Sequence, residues 1–167
     1  MKFEKITKIE AAERQLKEAI RLSFERRDKL AIHTLAGAAH EILKDLGKKK
    51  GVTGLIKNVV GIKEDKRTEY FRWVNHPKNF LKHANRDSEN ELDFNQMLNE
   101  VWLCDAIYLC EEITGKISHE MRIFRAWFMS KHPELSPMTM EQELKVMHSY
   151  KEFEDYEFWL KLLDNKK

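Results

Sequence analysis

The sequence predicts an all-α protein, a single helical bundle of six to seven helices that forms one domain over residues 1–167. Three observations carry that expectation. The chain holds only 6 Gly and 3 Pro, few for the many turns of a sheet protein, and is rich in Glu, Lys, Leu and Ala, which lose little rotamer freedom in helices. Its apolar residues recur at intervals of three and four. Residues suited to helix caps stand where those periodic stretches begin.

In residues 7–26, TKIEAAERQLKEAIRLSFER, the side chains of Ile9, Ala12, Leu16, Ala19, Ile20 and Phe24 share one helical face. Thr7, with Glu10 three places on, makes a capping box there. Asp28 caps a second helix over 29–46, expected to stop at Gly47. Within it, Ala36 and Gly37 lie between His33 and His40 as a small-residue strip open to close approach by a neighbouring backbone. Residues 47–61, GKKKGVTGLIKNVVG, read as a basic loop around one apolar turn and lack the phosphate-loop pattern.

A helix over 64–75 is expected to end at Pro77, which disfavours helix at His76, and a short new helix over 77–85 follows. Residues 93–114 read as a long helix, apolar nearly all round in its second half, ended by Gly115 and expected at the centre of the bundle. Ser118 caps the next helix, which Pro133 terminates. Thr139 with Gln142 opens a last one to about residue 163, with Leu144, Met147, Tyr150, Phe153, Phe158 and Leu162 as its apolar stripe. Trp73, Trp102, Trp127 and Trp159 all lie in these patterns and are assigned to the core rather than to base stacking.

Hydrophobic residues at 42% suffice for a packed core and argue against disorder. The amino terminus has no apolar h-region and no run approaches a membrane span, so a cytoplasmic protein without membrane contact is expected. Cys104 and Cys110 are six apart, roughly 240° round a helix, and cannot easily bridge within it. Two unpaired thiols suit a reducing compartment.

Charge is segregated. Residues 44–86 hold twelve Lys or Arg against four acids, whereas residues 87–112 hold eight acids and no Lys or Arg. This implies either a basic groove or two faces that neutralise each other within the fold or across a dimer.

Seven histidines raise the question of a metal, but there is no HExxH and no Glu stands three residues before any His, so no cofactor or metal is expected. His33 with His40, and His76 with His83, are each seven apart and share a face of a continuous helix. Asp105 lies inside the most apolar helix and requires a partner such as His33, His40 or an arginine, because an isolated buried carboxylate is costly.

The richest stretch is NHPKNFLKHANRD, residues 75–87. A helix starting at Pro77 would offer free N–H groups and a positive dipole end to an anion. Lys78, Lys82 and Arg86 repeat every four residues as one basic ridge, with Asn79 and His83 on the adjacent one. An imidazole, an amide and several cations are parts of a metal-free RNA-cleaving site. His83 would carry the proton, and Asn79 and Lys78 would orient and neutralise phosphate. Lys82 and Arg86 would position it. His33, His40, His76, Asp87 and Asp105 are candidate pocket-lining or supporting residues.

KNFLKH, Lys78 to His83, resembles the R-N-x-x-x-H signature of HEPN-type helical bundles, many of them metal-independent ribonucleases. Lys78 stands where that family has Arg, and lysine lacks the planar fork that grips phosphate in two places. The resemblance implies a homodimer whose two motifs share one RNA cleft, in a toxin–antitoxin or defence setting. AIHTLAGAAHEIL, NFLKHANRD and the following LDF are also similar to a broad group of small bacterial proteins of unassigned function. Two other readings stay open: a non-catalytic interaction or regulatory protein with a protein partner, and a metal or small-ligand pocket lined by His33, His40 and His83.

Overall fold

Thr7 opens the first helix with the expected reciprocal cap. Its Oγ1 accepts the Glu10 N–H at 3.2 Å, and Glu10 Oε2 accepts the Thr7 N–H at 2.7 Å. The computed structural model describes residues 2–58, 62–85, 88–132 and 154–165. Among these it has six α-helices and no strand: α1 (Lys8–Phe24), α2 (Lys29–Lys49), α3 (Arg67–Phe80), α4 (Met97–Thr114), α5 (His119–Lys131) and α6 (Tyr156–Asp164). No helix among the described residues is long and apolar enough to cross a membrane.

Helix α1 buries Ala12, Leu16, Ala19, Ile20 and Phe24, the face read from its spacing. It ends in a Schellman turn, with the Arg27 N–H on the Leu22 carbonyl and the Arg26 N–H on that of Ser23. Arg26 takes the left-handed conformation (φ 54°) that glycine usually fills there. Asp28 caps α2 through the N–H groups of Leu30 and Ala31. Ser118 caps α5 through that of Met121.

The helix α2 runs through Gly47 to Lys49, past the expected stop. Gly47 is buried, and a Cβ there would come within 3.2 Å of the Val52 carbonyl. The glycine therefore serves close approach by the following loop, not termination. Helix α4 begins at Met97 rather than residue 93. Helices α1 and α4 both pack along α2, and α5 and α6 cover α1. Phe24 lies against Phe124, Trp127 and Trp159, with ring centroids 5.8–6.4 Å apart. Residues 133–153, which carry the expected start of the last helix and much of its apolar stripe, fall outside the described residues.

Two expectations are corrected at α3. Pro77 does not divide two helices but lies inside one that ends at Phe80, followed by a turn at Leu81 and Lys82. The preference of a pre-proline residue against helix is a bias that tertiary packing can override. Here Val74, Pro77 and Lys78 are all buried. Only the last turn follows the ring, and the Leu81 N–H still reaches the Pro77 carbonyl at 3.0 Å. The end of helix at this point is therefore the negative one, which removes the expected N-terminal anion site. Trp73 is not core: it is 49% exposed, whereas Trp102, Trp127 and Trp159 are buried.

Candidate functional site

Helix α3 separates the expected site residues onto two faces. Lys78 points inward and is 7% exposed. Its stem lies against Gly37 of α2, where a Cβ would stand 3.2 Å from Lys78 Cγ. The small-residue strip thus receives a lysine side chain rather than a neighbouring backbone. Lys78 Nζ donates to Glu41 Oε2 at 2.7 Å and sits 4.8 Å from the centroid of the Trp102 ring. Three influences hold this buried ammonium: a carboxylate, an aromatic face and an apolar sleeve for its methylenes.

Burial by itself would raise the Glu41 carboxyl. Hydrogen bonds from Lys44 and Lys78 outweigh it and hold the group at about 2. Glu41 is therefore ionised across the physiological range and shared by two lysines.

Beside Lys78 runs a second polar chain. His40 Nε2–H donates to Asp105 Oδ2 at 2.8 Å, and Asp105 Oδ1 accepts the Leu55 N–H. His40 is thus the partner that Asp105 requires. Gly54 is packed onto this carboxylate so closely that a Cβ would fall 2.6 Å from both oxygens. With Nε2 engaged by the carboxylate, Nδ1 is the His40 ring nitrogen left for another partner. That atom is buried and has no hydrogen-bond partner among the described residues, and neither has Trp102 Nε1. The His40 and Trp102 rings meet edge to face at 4.3 Å.

These groups form the floor of a cleft of about 600 Å³ between α2, α3, α4 and the 51–57 loop. Phe71 and Ile56 give it apolar walls, while Lys44, Lys48 and Lys57 stand at its edge. Asp45 also lines it, so its cations outnumber its carboxylates by four (Lys44, Lys48, Lys57, Lys78) to two (Asp45, Asp105). A cleft of this size, apolar with a few convergent polar groups, is the usual form of a small-ligand site.

His33 lies about two helical turns before His40 on α2. Its Nδ1–H donates to Asn99 Oδ1 at 2.8 Å, and Asn99 Nδ2 donates to the Lys29 carbonyl at 3.0 Å. Burial lowers its pKa most; the Asn99 hydrogen bond opposes this and the Lys78 charge adds to it. His33 is therefore a neutral interior imidazole. It braces α2 against α4 and does not line the cleft.

The outer face of α3 carries the rest. Trp73, His76 and Asn79 are exposed there, with Arg72 beside them, and Lys82 and His83 are exposed just past the helix end. The His83 N–H donates to the Asn79 carbonyl at 3.1 Å, which keeps the two residues together. Lys78 does not join them. Lys82 lies beyond the helix, so the expected basic ridge is not continued by helical repeat. Arg86 and Asp87 fall outside the described residues.

The structure thus brings together His40, Asp105 and Lys78, three residues singled out for separate reasons, and leaves Asn79 on the outer face of α3 and His83 exposed past its end. Sequence reasoning missed Glu41, Gly54 and the edge lysines. A signal was present for part of this set, because Gly37, Glu41, Lys44 and Lys48 follow one face of α2 at steps of four, three and four. Among the described residues no three His, Cys, Asp or Glu side chains come together as a metal site. No family model, no curated protein and no solved structure matches this chain.

Proposed function

We propose that the protein binds single-stranded RNA along the outer face of α3. The observation that carries this reading is Trp73, a half-exposed tryptophan on a face that otherwise shows Arg72, His76 and Asn79 and leads to Lys82 and His83. A base stacks on an exposed indole whatever its identity, and flanking cations follow the phosphates. Arg72 and Lys82 have no ion-pair partner among the described residues, so their charge is free for such a ligand. Glu69, the acid on the same helix, is paired with Lys66 at 2.9 Å.

The HEPN-like resemblance points to the same surface. A two-fold dimer that faces two α3 helices would bring two Asn79–His83 pairs to one strand, with Lys82 supplying the nearby charge. The inward position of Lys78, neutralised by Glu41, favours binding over cleavage as the primary role. That agrees with the non-catalytic alternative.

Anisotropy of a labelled oligoribonucleotide, measured in EDTA over a range of salt, tests the reading. Trp73→Ala is expected to weaken binding about tenfold, the loss of one base–indole stack. Neutralising Arg72 and Lys82 is expected to reduce the salt slope by about 1.4, or about 0.7 for each single-strand phosphate contact. Equal affinity of wild type and Trp73→Ala would sink the proposal. Gel analysis of the same samples reports cleavage, which His83→Ala must abolish if the imidazole acts on the strand.

A further inference from the structure

The cleft on the inner side of α3 is a separate feature that the RNA surface does not use. We infer that it is a binding site for a nucleoside phosphate, with His40 and Trp102 at its floor and Lys48 and Lys57 receiving the phosphate.

The floor is built but incomplete. Asp105 fixes the His40 ring by a 2.8 Å hydrogen bond and is itself tied to the Leu55 N–H, so the imidazole is held rather than free to turn. Both residues are more than nine-tenths buried. The remaining ring nitrogen, Nδ1, has no partner, and Trp102 Nε1–H is a donor without one. Buried polar groups are ordinarily satisfied, and the exceptions need an explanation. One ligand that carries both a donor and an acceptor completes this pair.

The edge defines the rest of that ligand. Lys44 and Lys78 share Glu41, but Lys48 and Lys57 have no carboxylate partner among the described residues. Their charges face a cleft whose inner carboxylate, Asp105, is already occupied by His40 and Leu55. An anion is the complement. Phe71 and Ile56 line the walls, so the anion carries a flat apolar part. A volume of about 600 Å³ is in the range of drug-sized sites and takes a nucleotide, not merely a free phosphate. A nucleotide supplies all the required features: phosphate oxygens for the lysines and the indole N–H, hydroxyl or amino donors for His40 Nδ1, and a planar base for Phe71. The same chemistry is offered by a free nucleotide or by the end of an RNA strand.

The test uses AMP, adenosine and inorganic phosphate, titrated calorimetrically into the full chain. The Trp102 indole N–H is followed by nuclear magnetic resonance and identified by its loss in Trp102→Phe. AMP is expected to bind and to shift the Trp102 indole signal, with adenosine and phosphate each weaker. The Lys48→Gln/Lys57→Gln pair, exposed and outside the core, is expected to weaken AMP about tenfold or more while leaving adenosine nearly unchanged. His40→Gln should weaken both AMP and adenosine. Because that residue is buried, the lysine pair keeps the test meaningful if the variant folds poorly.

Displacement of labelled RNA by AMP identifies the ligand as a strand end. AMP binding without displacement identifies a free nucleotide. Either result supports the site when the lysine pair weakens AMP and Trp73→Ala does not. Failure of AMP to bind at millimolar concentration overturns it. So does AMP binding that Trp73→Ala removes and the lysine pair leaves intact, since the nucleotide would then sit on the outer face of α3. The two proposals fail separately: Trp73→Ala tests the RNA surface and the lysine pair tests the cleft.

Discussion

Lys78 Nζ lies 2.7 Å from Glu41 Oε2, and this contact joins α3 to α2 across the interior of the bundle. The side chain of Lys78 is 8% exposed and that of Glu41 38%, so the ammonium is the less solvated member. Removing the partner of a buried charge is more damaging than removing both, because the remaining charge is left unpaired. Glu41→Gln is therefore expected to destabilise the protein by about 2 kcal/mol, below the range for a fully buried pair because Glu41 is partly solvated. In a chain of this length that lowers the melting temperature by roughly 4–8 °C. Adding Lys78→Met, which keeps an apolar stem against Gly37, should recover most of the loss. A double-mutant cycle from thermal unfolding measures the coupling, and a neutral Glu41→Gln would show that Lys78 is not held this way.

Gly54 is predicted to be irreplaceable for a different reason. A methyl group there falls 2.6 Å from both Asp105 oxygens, and that carboxylate is fixed on its other side by His40. Neither partner is the loose end of a flexible side chain. Gly54→Ala must therefore push the 51–57 loop off α4 or break the Asp105–His40 bond, a loss of about 2–3 kcal/mol. Thermal unfolding reports the loss and the His40 ring resonances report which contact broke. Retained stability with an unmoved His40 would mean that the loop can shift freely.

His33 gives the fold a pH dependence of defined sign. Its pKa in the folded protein is lowered, chiefly by burial, whereas an unfolded histidine titrates near about 6.5. Between those values the unfolded state binds the extra proton, so stability rises with pH. The contribution is fully present above about pH 6.5 and is lost as pH falls through the folded value. Urea unfolding from about pH 7.5 down to about pH 5.5 should show the decline, and His33→Gln should flatten it. An equal slope in the variant would assign the effect to other groups.

The parts of the fold that were legible in the sequence are local ones. Thr7 with Glu10, Asp28 and Ser118 cap helices because each satisfies N–H groups two or three residues away, and such signals need no tertiary information. Gly37 was legible as a place of close approach, but not the identity of what approaches, because Lys78 is 41 positions away in the chain. The same distance problem hid the clasp of Gly54 and Leu55 on Asp105. Periodicity placed Trp73 on a helix and could not say whether a neighbour would cover it. Pro77 was misread because a backbone preference of modest size was weighed without the burial of Val74, Pro77 and Lys78 that opposes it. For the site, the residue types were recognisable. Their division between the two faces of α3 was not, since it depends on how α3 is rotated against α2.

The cysteines report on the same interior. Burial, with the Asp105 charge in second place, pushes the Cys104 thiol up to about 12. Burial with the Glu13 charge raises Cys110 to about 11. Both thiols are free, in keeping with their different directions on α4. Only the thiolate is nucleophilic. An ordinary cysteine near pKa 8.5 is roughly one-quarter ionised at about pH 8, whereas a group at about 12 is ionised on the order of one part in ten thousand. Native protein should therefore be alkylated by iodoacetamide on the order of a thousandfold more slowly than a free thiol at Cys104, and Cys110, with its thiol also raised and only 1% exposed, should be strongly protected too. In denaturant both should react at the ordinary rate, which separates protection by the fold from intrinsic chemistry. Asp105→Asn should increase the Cys104 rate, as loss of the neighbouring negative charge favours the thiolate, and should leave Cys110 nearly unchanged. Mass spectrometry of the two alkylated peptides over time decides the matter. Native-state modification of Cys104 at the free-thiol rate would mean that α4 is open to solvent at Asp105, and would remove the floor on which the cleft is built.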